Sequence, residues 1–111
     1  MTAATRGLLQ ATALCESYAV SDLRAVARLL GHHRHLAAIL AEVPGVLGQF
    51  FPGAPLRLHV DGDGLVVAVA VRDVEAVLTN PLSPLLAFDR CWWYAVFPHC
   101  GGHLTIDVET L

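Results

Sequence analysis

The sequence predicts an α+β domain in which N-terminal helices pack on a small, mostly antiparallel sheet of three strands with one helical crossover. Three observations predict it. In the first half, apolar residues recur at the three- and four-residue spacing of a helix face, as in Leu23, Val26, Ala27 and Leu30. From Leu56 the pattern changes to alternation, with Leu56, Leu58 and Val60 set against Arg57, His59 and Asp61, the period of a half-buried strand. Last, five of the eight aromatic residues crowd into Phe88–Phe97, between that strand region and a final alternating segment. Such density marks where a small protein packs or grips a partner.

The elements follow in order. Residues 1–20 are rich in alanine and threonine, and Leu8, Leu9, Ala13 and Leu14 suggest a loosely ordered first helix over about 6–18. Ser21-Asp22 reads as the start of a second helix. After Gly31 and His32-His33-Arg34-His35, a helix resumes through Leu36, Ile39 and Leu40 to Glu42. Pro44 suits the first turn of a separate short helix, Gly45 to Phe51, because its missing N–H is not needed there. Pro52-Gly53-Ala54-Pro55 turns the chain into a hairpin of Leu56–Asp61 and Leu65–Val71, joined at Asp61-Gly62-Asp63-Gly64, whose Asp-Gly pairs supply positive φ angles. The unbroken apolar run Leu65–Val71 predicts a central strand buried on both faces. Asp73–Leu78 is a short capped helix ended by Asn80-Pro81, and Ser83-Pro84 opens the aromatic helix. Its apolar residues at 85, 88, 92 and 96 fall on one face, with 86, 93 and 97 beside them. Pro98 and Gly101-Gly102 break it, and His103–Val108 alternates as the third strand.

Length and composition bound the function. The 111 residues fit one domain, with no linker or repeat to divide them. Charged residues make up only 15% of the chain, against about 25% in a typical domain. So few charges predict an exposed apolar patch, which a homo-oligomer, most simply a homodimer, covers. The arginines are not gathered into the basic face that a phosphate backbone requires, and there is no lysine, so nucleic acid is not expected as a partner. No apolar run approaches the roughly 20 residues that cross a membrane, and no secretory leader is evident. Cys15, Cys91 and Cys100 are odd in number, as fits reduced thiols in the cytoplasm.

Candidate sites are two. Phe88, Trp92, Trp93, Tyr94 and Phe97 form a candidate interface, since tryptophan and tyrosine dominate binding energy where proteins meet. The plainer alternative is that the same residues fill the core. Cys91, His99, Cys100 and His103 are a candidate zinc or thiol site, in which only Cys100-x-x-His103 has a recognised ligand spacing. Adjacent His99 and Cys100 do not readily reach one ion. His32 and His35 share a helix face but read more simply as a solvated helix end. Asp61-Gly62-Asp63-Gly64 fails the calcium-loop pattern, which demands glutamate where Arg72 stands. Neither a phosphate-binding glycine loop nor a serine elbow is present, and no catalytic residue is assigned.

From Leu36 onward the order of cues, Glu42-Val43-Pro44, Phe51-Pro52, the two strands, Phe88-Asp89-Arg90-Cys91-Trp92-Trp93 and Asp107-Val108-Glu109, resembles small uncharacterised bacterial proteins that carry an FDxxWW helix before a C-terminal strand. This chain departs from that pattern at Pro98-His99-Cys100-Gly101-Gly102-His103, where those proteins tend to have basic and small residues. The resemblance implies no activity. The expectation is a non-enzymatic protein-interaction module that self-associates through its aromatic helix and needs no cofactor, with a zinc or thiol protein as the alternative.

Overall fold

Helix-capping chemistry sets the frame. The computed structural model describes residues 2–111, so Met1 lies outside the described residues. Thr2 accepts a hydrogen bond from the Thr5 amide at 3.1 Å and opens α1 (Ala3–Leu14). Asp22 accepts from Ala25 N, also at 3.1 Å, and opens α2 (Leu23–His32). Each side chain satisfies one of the amides that a helix start leaves without a partner. The chain then runs through α3 (Leu36–Phe50), β2 (Leu56–Asp61), β3 (Gly64–Val71), α4 (Val74–Thr79) and α5 (Pro84–Phe88) to β4 (Leu104–Thr110). A two-residue strand, β1 (Ala19–Val20), lies between α1 and α2.

The α+β class holds, but the sheet differs from expectation. It has four strands in the order β1-β2-β3-β4 and is mixed. β2 and β3 form the expected antiparallel hairpin, with Asp61 opposite Gly64 and Gly62 at φ 64° in the two-residue loop. β1–β2 and β3–β4 are both parallel. The predicted helical crossover is present between β3 and β4, and a crossover is what parallel neighbours require. β1 is too short to show any periodicity in sequence.

Two further corrections concern burial and helix ends. Pro44 does not start a helix. It sits inside α3, which runs unbroken from Leu36 to Phe50. A proline there withholds an N–H from the carbonyl four residues back, that of Leu40. Tyr18 fills the gap, its buried hydroxyl donating to Leu40 O at 2.7 Å. β3 is central, and its two faces are unequally buried: Leu65, Val67 and Val69 are enclosed on one, while on the other Ala68 is buried and Val66 and Ala70 are half-buried. Leu65, Val67 and Val69 share rows with Leu58, Leu104 and Val108 and join helix residues Val26, Leu30, Leu40, Leu47 and Phe88 in one core cluster. The opposite face carries His59, Val66 and Thr105 in one row and Arg57, Ala68 and Asp107 in the next. There Arg57 grips Glu109 in a two-pronged ion pair, Nε–Oε1 at 2.9 Å and Nη2–Oε2 at 3.0 Å. The pair reaches across β3 over Ala68 and Ala70, whose small side chains leave it room.

α1 and α2 pack as a tight hairpin, and Gly7 allows it: any Cβ there would collide with the Ala27 carbonyl of α2. Arg6 donates from Nη2 to Gly31 O at 2.9 Å, satisfying a carbonyl at the end of α2.

Candidate functional site

The aromatic segment begins where Ser83, itself buried, accepts from Leu86 N at 3.3 Å and Pro84 takes the first helical position. α5 is therefore well anchored. After Phe88 the helix does not continue in α form. Asp89–Trp93 makes a π-helical turn, a short α6 (Tyr94–Val96) follows, and a 3₁₀ turn, Phe97–Cys100, ends at Gly101 in the left-handed region. Isolated π turns cost hydrogen-bond quality and recur at functional positions.

The π turn decides which ring faces where. An α-helix would stack Trp92 beneath Phe88. The wider turn brings Trp93, five residues on, to that place. Phe88 is fully buried and Trp93 nearly so, with their rings stacked at 6.4 Å and 16°. Trp92 sits half-buried at 5.8 Å from Phe88. Phe50 of α3 meets Phe88 edge-on at 6.1 Å, tying the segment to the core. Thus Phe88 and Trp93 do core work. Tyr94 and Phe97, 62% and 49% exposed, are left on the outside, with Phe97 edge-on to Trp93. Asp89, at the first position of the π turn, has its carboxyl pushed up by burial.

Among the described residues no group of three or more histidine, cysteine or acidic side chains is placed to hold a metal ion. Cys100 is buried and turns its thiol toward Val96 O, and burial raises its pKa, the opposite of what a nucleophile or ligand needs. Cys91 and His99 are exposed. His103 is engaged elsewhere. Its Nδ1 donates to Asp63 O at 3.1 Å in the β2–β3 turn, and its ring stacks on His33 at 3.9 Å.

Known protein families, curated proteins and solved structures offer no match to this chain.

The His33–His103 stack joins the α2–α3 linker to the loop before β4, although in sequence the two histidines belong to separate clusters. Nothing in their spacing, 70 residues apart by number, announces the contact. The hollow between α1 and α2 has no clear sequence signal beyond Arg24, Arg28 and His32, whose four-residue repeat places them along one helix face. No described helix is long and apolar enough to cross a membrane.

Proposed function

We propose that the protein is a non-enzymatic cytoplasmic interaction module that self-associates through the outer side of its aromatic segment. The observation that carries this reading is the exposure of Tyr94 and Phe97 beside half-buried Trp92, on a segment whose other rings are fixed in the core. A rigid platform of this kind presents aromatic area without ordering it at the moment of binding, which keeps the entropic cost of association low. Tyrosine and tryptophan are also the side chains that most often anchor interfaces. The sparse charge of the chain supports the same reading, because few charged groups are present to hold apolar surface apart in solution. Of the five interface residues expected from sequence, the proposal rests on Trp92, Tyr94 and Phe97. Phe88 and Trp93 act as their support.

Sedimentation velocity on the full chain tests the proposal. The parent protein is expected to be a dimer at micromolar concentration, and the Tyr94→Ser, Phe97→Ser double variant a monomer with an unchanged melting temperature. A monomeric parent, or a variant that remains dimeric, would sink it.

A further inference from the structure

A hollow of about 480 Å³ opens between α1 and α2, a volume in the range of small-molecule sites. Its floor is built from Ala3, Ala4, Ala27 and Gly31, with Leu8 as one wall. These residues leave the hollow empty for a definite reason. The two helix backbones approach so closely that a Cβ at Gly31 would stand 2.8 Å from Ala3 O, so the floor is made of backbone and methyl groups. The lining is almost wholly apolar, and the charge stands at its solvent-facing rim. Arg24, Arg28 and His32 come from three successive turns of α2 and all line the hollow.

Neither guanidinium has an acidic partner among the described residues, where the ion pair is Arg57–Glu109 on the sheet. The wider field has the same sign. Residues 2–35 hold four of the seven arginines but two of the ten acids. A clefted surface of one sign raises the local concentration of the opposite ion. Arginine pairs are suited to planar oxyanions, which they meet with two parallel hydrogen bonds.

From the apolar lining and the unpaired arginines at its rim we infer that the α1–α2 hollow binds a small amphiphilic anion, an apolar body carrying a carboxylate or phosphate head. The apolar body lies on Ala3, Ala4, Ala27 and Leu8. The head is held at the rim between Arg24 and Arg28. The inference is independent of self-association, because its residues lie on different elements from Tyr94 and Phe97.

The test is a calorimetric and amide-shift NMR titration of the full chain with decanoate. One saturable site is expected, with shifts confined to Ala4, Leu8, Ala27, Gly31 and their neighbours. Arg24→Gln with Arg28→Gln is expected to weaken it by about tenfold or more, as loss of two charge-assisted contacts implies. Ala4→Phe fills the hollow from an exposed position and is expected to abolish binding without changing the melting temperature. Decanol, which has the same body without charge, is expected to bind far more weakly. No saturation, equal binding of decanol, or a site indifferent to both variants would overturn the inference. Sedimentation with phosphatidylglycerol vesicles in place of saturable decanoate binding would also overturn it, in favour of a membrane surface.

Discussion

Pro44 and Tyr18 show how one tertiary contact rewrites a local rule. Proline in a helix interior leaves the carbonyl four residues earlier unpaired, and a buried unpaired carbonyl costs roughly 1–3 kcal/mol. The hydroxyl of Tyr18 meets that carbonyl, on Leu40, and burial in turn holds the tyrosine pKa well above its ordinary value. Tyr18→Phe is therefore expected to lose about 1–3 kcal/mol in urea unfolding, the cost of a stranded buried acceptor. The decisive measurement is a double-mutant cycle. In Pro44→Ala, residue 44 regains an N–H for Leu40 O, so Tyr18→Phe is expected to cost distinctly less in that background. Additive losses would show that the hydroxyl does not act on the proline gap. The sequence carried Pro44 and Tyr18 in plain view. What it did not carry was their meeting, since the donor lies 22 residues from its acceptor, on another element. The caps were legible for the converse reason. Asp22, Asp73 and Ser83 each act within three residues of themselves.

At the level of the element, the π turn separates two tryptophans that look equivalent in sequence. A period of 3.6 residues assigns Phe88, Trp92 and Val96 to one face, whereas the structure buries Phe88, Trp93 and Cys100 most deeply. Adjacent rings of nearly equal size give periodicity no means of choosing between them. Packing against Phe88, which is itself edge-on to Phe50, makes the choice. Trp93→Ala is accordingly expected to destabilise by about 3–5 kcal/mol, the usual cost of emptying a buried aromatic site. Trp92→Ala, at a half-buried position, is expected to cost clearly less. Chemical denaturation of the two variants reads this directly, and tryptophan emission offers a second check, since Trp93 should supply the blue-shifted component. A larger loss for Trp92→Ala than for Trp93→Ala would mean that the turn is α-helical in solution. The strands were easier to read. β2 and β4 each have one polar and one apolar side, so alternation located them. β3 misled, because an apolar outer row of Val66, Ala68 and Ala70 looks in sequence like a strand sealed on both faces, when Arg57 and Glu109 bridge it in the open.

Over the whole molecule, the helical half and the sheet half are joined by contacts that titrate. His33, in the α2–α3 linker, faces His103 before β4, His35 and His32 on its own segment, and Asp63 in the β2–β3 turn. Burial, then the neighbouring histidines, hold its pKa below the ordinary 6.5, with Asp63 opposing. On the open face, the hydrogen bond from Arg57 holds Glu109 below its ordinary 4.5. The two shifts act at different pH. Above 6.5 His33 is neutral in both folded and unfolded chains and contributes nothing. Below 6.5 the unfolded chain takes up a proton that the folded chain resists, so stability falls. Glu109 contributes stability above 4.5, which is lost as pH falls through its depressed folded value. Asp89 works the other way, since its raised pKa makes the folded chain bind its proton first. Urea unfolding as a function of pH is therefore expected to show a plateau from 6.5 up to the onset of thiol ionisation near 9.0, where buried Cys100 resists losing its proton, with one decline below 6.5 and a second beneath 4.5. His33→Asn should flatten the first decline alone, and Glu109→Gln the second alone. High salt should diminish the histidine part contributed by like-charge repulsion while leaving the part due to burial. If His33→Asn keeps the full first decline, the acid sensitivity belongs to another histidine, and the stack with His103 is not what couples the helices to the sheet.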